Sequence, residues 1–282
     1  MILSPIEQRI KAKIEEVGIP LKNWDINIYR GILTGYNEAF IIDGKKKDEL
    51  IAKDPKSAEI IRPILRGRDI KRYGYDFADL YILFIPWHFP LHTDSTIQGA
   101  SEKAEKAFKK QYPAIYNHLL QYKLELSNRN KTETGIRYEW YALQRWGANY
   151  WEDFYKQKII YPNMTKYMPF FLDNEGYFTN QKCFIITGEN LAWLTAFFNS
   201  NVFKICYRDN FPELQGGARE LSKIFFEEIK IPRFEEIIAE NFDILVKDMQ
   251  NGEDYADFRL ERALLFALGL QEYENYIMSY KI

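Results

Sequence analysis

Five cations crowd one short stretch of this 282-residue chain: Arg62, Arg66, Arg68, Lys71 and Arg72, opposed within the run only by Asp69. Guanidinium groups at that density suit a phosphate backbone, to which their planar forks donate paired hydrogen bonds. A solvated charged turn has the same composition, so the run alone leaves both readings open. Upstream, Arg30-Gly-Ile-Leu-Thr-Gly-Tyr-Asn-Glu-Ala-Phe40 sets Gly31 and Gly35 around an apolar pair and a threonine. That spacing predicts a sharp turn with Thr34, Tyr36 and Asn37 facing outward.

Catalytic chemistry is harder to find. Glu228-Ile-Lys230 has the final spacing of a metal-dependent nuclease, yet no acidic partner precedes it on a convincing strand, and a surface strand edge explains it as well. An adenine methyltransferase needs a glycine-rich cofactor loop and an Asn-Pro-Pro-aromatic motif. Neither is present, and Tyr161-Pro-Asn163 has the wrong order. His88 and His92 flank Pro90 with no carboxylates at ligand spacing, and His118 stands apart. Gly216-Gly217 ahead of Arg219 offers backbone amides to an anion, with a flexible turn as the alternative. Cys183 and Cys206 lie in apolar stretches and read as buried free thiols.

The composition limits the function classes. Hydrophobic and charged contents of 46% and 28% fit a soluble globular protein, but a net charge of −2 is unusual for a free-standing nucleic-acid binder. A DNA reading therefore requires a local basic face with acidity segregated elsewhere. Aromatic content of 16% suits half-buried sheets or surfaces that stack on something. Glu7, Arg9 and Lys11 stand where a signal peptide would be apolar, and no run is long enough to span a membrane, so the expected location is cytoplasmic.

The elements that must position these residues follow from periodicity. Ile6, Ile10, Ile14 and Val17 share one face of a helix over residues 5–17, capped by Ser4, opened by Pro5 and stopped by Gly18. Trp24–Tyr29 alternates as a strand, with Glu38–Asp43 as its expected hairpin partner and Asp43-Gly44 as a turn. Leu80–Ile85 reads as a central strand ended by Pro86, and residues 101–126 as helical with a restart at Pro113. Residues 128–146 form a polar-aromatic loop carrying Arg129, Lys131, Arg137, Trp140 and Trp146. Strands are expected at Lys158–Pro162, Cys183–Thr187 and Ile229–Ile231, a hairpin at Phe170–Phe178, and a helix after Asn190 as cap. Two helices, Phe234–Met249 and Tyr255–Leu268, close the chain. The expected fold is α/β (mixed α+β), a mixed sheet with packed helices and a helical C-terminal tail. Residues 1–232 form the main domain and 233–282 a tail packed on it or on a partner domain.

Taken in order, several of these stretches resemble one family. Arg30-Gly-Ile-x-Thr-Gly-x-Asn-x-Ala-Phe40, Leu50-Ile51 and Ile61-x-Pro-x-Leu-Arg-Gly-x-Asp-Ile-x-Arg-Tyr73 are similar to the TaqI-like C-terminal specificity domain. Tyr112-Pro113, Trp140-Tyr-x-Leu143, Lys158-Ile-Ile-Tyr-Pro162, Leu191–Ser200 and the Gly216–Pro232 segment continue the series, the last also resembling type I specificity subunits. The resemblance implies a target recognition domain of type IIG restriction–modification enzymes and N6-adenine DNA methyltransferases. Such a domain reads double-stranded DNA while associated methyltransferase and endonuclease domains, of the same or a partner chain, do the chemistry. S-adenosylmethionine and Mg2+ then belong to those domains and no cofactor or metal to this chain.

Under that resemblance Arg62, Arg66, Arg68, Lys71 and Arg72 are candidates for phosphate positioning, and Thr34, Tyr36 and Asn37 for reaching a groove. Tyr141, Gln144 and Arg145 carry the residue types of base readout, and Lys158, Asn163, Lys166 and Arg219 extend the basic face. Two alternatives stand beside it: a divergent nuclease built on Glu228 and Lys230, and a protein-interaction module that does not bind DNA.

Overall fold

Every residue of the strand Lys158–Pro162 is buried, and successive side chains enter different cores. Ile159 and Tyr161 pack into one apolar cluster with Ile14, Trp193, Phe197 and Phe226. Ile160 packs into the other with Phe40, Phe108, Tyr141 and Phe178. Its neighbour Cys183–Gly188 divides in the same way, Phe184 and Ile186 one side, Cys183 and Ile185 the other. The two-residue period of a strand thus makes this sheet a partition with a core on each face. Apolar runs such as Lys158-Ile-Ile-Tyr-Pro162 follow from burial on both faces.

The computed structural model describes residues 3–129, 137–234 and 236–280. The partition sheet is antiparallel, in the order Phe171–Asp173, Lys158–Pro162, Cys183–Gly188, Ile26–Arg30. A second four-stranded sheet runs Phe178–Thr179, Ile61–Leu65, Leu80–Leu83, Ile41–Asp43 and is mixed, its first pair being parallel. Leu80–Leu83 is internal to it, as its continuous apolar character predicts. The fold is α/β with several sheets and packed helices. Lys131 lies outside the described residues.

The N-terminal helix Pro5–Val17 carries its cap as expected: Ser4 and Glu7 exchange side-chain to backbone hydrogen bonds in a capping box. Its apolar face packs on the ribbon made by Gly18–Pro20 and Lys230–Pro232 and on the helix Asn201–Tyr207. The tail helices Glu236–Asn251 and Ala256–Ala267 pack against Leu191–Asn199 and share that core through Phe242, Val246, Leu260 and Leu264. Chain start and chain end are tied by the Tyr276 hydroxyl, which donates to Glu7 at 3.0 Å, and by Lys13 with Glu272. Both cysteines are buried free thiols, and burial pushes the Cys206 thiol up to about 12.

Three local expectations are corrected. Glu38–Asp43 does not pair with the strand before it. Asn37–Phe40 forms a single helical turn that buries Ala39 and Phe40, and Ile41–Asp43 pairs with Leu80–Leu83. The edge that a hairpin would have used is taken by Cys183–Gly188, a partner remote in sequence. Asp43-Gly44 is no hairpin turn either, since the Asp43 carboxylate accepts from the Lys46 N–H at 2.7 Å and caps the helix Gly44–Lys53. Finally, Phe171–Asp173 and Phe178–Thr179 belong to different sheets. Asp173, buried against Lys158, accepts the N–H groups of Glu175 and Tyr177 and redirects the chain between them.

Candidate nucleic-acid interface

A groove of about 1120 Å³ opens beside the cationic run. Six cations line it, Arg66, Arg68, Lys71, Arg72, Lys182 and Lys204, and none of its lining residues is acidic. In a chain of net charge −2 this is the segregation a basic face requires.

The strand Ile61–Leu65 delivers the chain to the groove, where the turn Gly67–Asp69 follows. Asp69, 4% exposed, accepts from the Arg66 backbone N–H at 2.8 Å and from its Nε and Nη2 at 2.9 and 2.8 Å. That fork raises the Arg66 pKa and makes this arginine the staple of the turn. Arg68, two residues on, is exposed. Lys71 pairs with Asp76 at 3.2 Å and Arg72 with Asp257 at 2.7 Å, while the Arg72 guanidinium lies 5.0 Å from the Tyr73 ring. Among the described residues Arg68, Lys182 and Lys204 have no carboxylate within 4 Å. They are the cations left to meet a ligand. Burial and the repulsion of Arg72 lower the Lys204 pKa.

A second group of predicted residues lies on the loop that follows Gly31. Gly31 is not a turn glycine. A Cβ there would stand 2.1 Å from the Asn180 carbonyl oxygen, so its absence allows the backbone to press against the groove wall at Asn180. Gly35 does turn, at φ +78°. Leu33 and Arg145 exchange both backbone hydrogen bonds, at 3.0 and 2.9 Å, and this places Arg145 beside the Tyr36-Asn37 turn. Asn37 and Arg145 are exposed and Tyr36 is half-buried against Tyr122. Thr34 is not outward. It is 1% exposed, its hydroxyl donating to Asn37 Oδ1 at 2.7 Å, because its carbonyl is gripped from below.

The grip is Arg129. Its guanidinium donates to the carbonyls of Thr34, Leu126, Trp140 and Ala142 and sits between the rings of Phe40 and Tyr138. With no carboxylate on it among the described residues, burial brings its pKa down to about 10. One buried arginine therefore fixes the loop that presents Tyr36 and Asn37. The sequence signal, an arginine at the end of a helix before a polar loop, does not distinguish an anchor from a contact.

Other predicted contacts turn inward. Lys158 is fully buried in an ion pair with Asp173, with the Phe154 carbonyl accepting from Nζ at 2.6 Å. Tyr141 is fully buried and donates its hydroxyl to the Phe89 carbonyl at 2.8 Å. Gln144, 6% exposed, packs under Gly35. Arg219, 8% exposed, is held by Asp209 and Glu213, each at 3.0 Å, and is not free to serve an anion at the Gly216-Gly217 turn. Asn163 is 8% exposed, its backbone bonded to Lys182 and Leu221. The Arg62 guanidinium donates to the Tyr155 hydroxyl at 2.8 Å and to nearby carbonyls, away from the groove. Lys166 remains exposed.

Sequence reasoning missed Lys182, Lys204, Met164 and Tyr167, all of which line the groove. Lys204 had a signal: it is the lone cation in the apolar helix Asn201–Tyr207.

Among the described residues no group of three or more His, Cys, Asp or Glu could hold a metal ion. Glu228 is exposed and paired with Lys22 at 2.7 Å, and Lys230 lies on the two-stranded ribbon. His88 Nδ1 is 3.0 Å from Glu139, whose carboxylate also accepts the backbone N–H groups of His88 and Ser101, a structural clasp. Among the described residues no helix is long and apolar enough to cross a membrane.

The sequence pattern described as the TaqI-like C-terminal specificity domain matches residues 62–231. The type II methyltransferase M.MjaIV of Methanocaldococcus jannaschii is 22% identical over 262 residues, covering 89% of this chain and 82% of that protein. Among solved structures, the type IIL restriction–modification enzyme MmeI, in complex with DNA, superposes with a TM-score of 0.57 at 11% identity. The type IIG restriction endonuclease BpuSI superposes with a TM-score of 0.51 at 13% identity. Each superposition covers 92% of this chain, which spans 35% of the first structure and 32% of the second, about a third of their length.

Proposed function

This chain belongs to the TaqI-like C-terminal specificity domain family, and on that premise we propose that it recognises a short double-stranded DNA sequence for a restriction–modification enzyme. The observation that carries the proposal is the groove with six cations and no acidic lining residue in a chain of net charge −2. Arg68, Lys182 and Lys204 position the phosphate backbone and supply most of the affinity. Asn37, Arg145 and Tyr36, carried by the loop that continues from Gly31 at the groove wall, have the chemistry to read base edges, Arg145 with guanine and Asn37 with adenine. The chain itself performs no covalent step. The methylation and cleavage it directs belong to methyltransferase and endonuclease domains, of the same or a partner chain, and S-adenosylmethionine and Mg2+ are cofactors of those domains.

The test is binding to a pool of duplexes of random sequence at low and moderate salt, with sequencing of the retained DNA. Affinity should fall steeply with salt, and one short motif should be enriched. Retention that ignores salt, or none at low salt, would sink the proposal.

A further inference from the structure

One wall of the groove carries an apolar feature that the cations do not explain. Met164 and Tyr167 both line it, at 49% and 71% exposure. This chain packs most of its aromatic rings against one another, yet the Tyr167 ring touches no other ring and no cation among the described residues. Most of the Tyr167 side chain is thus left open towards the groove, with a flat apolar face and a polar tip available to a ligand.

The turn that bears it is held on both sides. Met164–Thr165 pairs with Arg219–Glu220, and Arg219 is locked by Asp209 and Glu213. The Thr165 hydroxyl accepts the N–H groups of Tyr167 and Met168, at 3.1 and 3.2 Å. Met168, at φ +50° and 1% exposed, roots the far end in the core. The ring is therefore presented on a preorganised finger, and little ordering is needed for it to meet a ligand.

We infer that Tyr167, with Met164 beside it, inserts against a base step of the duplex lying along the groove and partly unstacks it. The inference rests on the DNA-reading function. Its own support is charge complementarity: a ligand drawn in by Arg68, Lys182 and Lys204, the lining cations not held by a carboxylate, is a polyanion, and the polyanion that also offers flat apolar faces is nucleic acid. Phosphates meet Arg68, Lys182 and Lys204, leaving base faces for the ring.

The experiment uses the full chain and a pool of random-sequence duplexes of about 30 base pairs, with a matching pool containing 2-aminopurine, which brightens when unstacked. Tyr167→Ala should bind about tenfold more weakly, with an unchanged salt slope because no charge is lost, and Tyr167→Phe should bind like the parent. Parent protein should raise 2-aminopurine fluorescence and Tyr167→Ala should not. Both proteins should melt at the same temperature. Equal affinities for parent and Tyr167→Ala would overturn the insertion and leave DNA reading intact. So would weaker binding by Tyr167→Ala with no fluorescence rise from the parent, since the ring would then touch only the backbone. Absence of salt-sensitive binding by the parent would bring down the DNA-reading function, and the insertion with it.

Discussion

The Arg72 guanidinium on the groove wall lies 2.7 Å from Asp257, a carboxylate at the start of the tail helix Ala256–Ala267. The tail is thus in electrostatic contact with the candidate DNA site. Asp257 is 63% exposed, and exposed pairs contribute little stability. Asp257→Asn should leave the melting temperature almost unchanged and tighten DNA binding severalfold by freeing Arg72 and removing a negative charge. Weaker binding in a filter or anisotropy assay would instead make Asp257 a positioning residue for Arg72.

The unpaired cations give a cleaner electrostatic test. Arg68→Ala with Lys182→Ala should lower the slope of log affinity against log salt by about 2, if each side chain contacts one phosphate. Both residues are exposed, so the thermal transition should not move. A slope identical to that of the parent would remove them from the interface.

Glu261 predicts a pH dependence. It is 5% exposed, accepts the Asn201 N–H at 3.3 Å, and faces Arg72, Lys204 and Asp257. Burial raises its pKa by more than the cations lower it. A carboxyl raised on folding contributes stability that is complete below its unfolded pKa and is lost as pH rises through the folded value. Glu261→Gln, which stays neutral, should melt higher than the parent at pH 7–8, with the gap closing towards about pH 4. A gap that widened on acidification would contradict this sign.

The ion pair of Lys158 with Asp173 should behave as a core element. Burial lowers the Lys158 pKa by more than Asp173 raises it. Lys158→Ala would leave Asp173 buried without its cation and should cost about 3–5 kcal/mol in chemical unfolding. At temperatures where the variant is folded, its DNA affinity should match the parent's. A DNA defect without a stability defect would return Lys158 to the interface.

What the sequence determined by itself is local and periodic. The Ser4 cap, the helix on Ile10 and Ile14, the strands at Lys158–Pro162 and Cys183–Gly188, and the cationic run from Arg66 to Arg72 are each written in neighbouring residues. So was the family, because its motifs are short and keep their order. The tertiary structure alone decided which charges face a ligand. Lys158 and Lys182 are the same letter, yet a carboxylate fifteen positions away in one case, and none within 4 Å among the described residues in the other, makes one a core pair and the other a free cation. Strand partners were likewise out of reach, since Ile26–Arg30 pairs with Cys183–Gly188 rather than with its neighbour in sequence. The groove joins residues from Arg66 to Tyr280, so Lys182, Lys204 and Tyr167 could be assigned to it only after the chain had folded. Burial and pairing depend on contacts between segments remote in sequence, and those contacts decide which side chains remain available to bind.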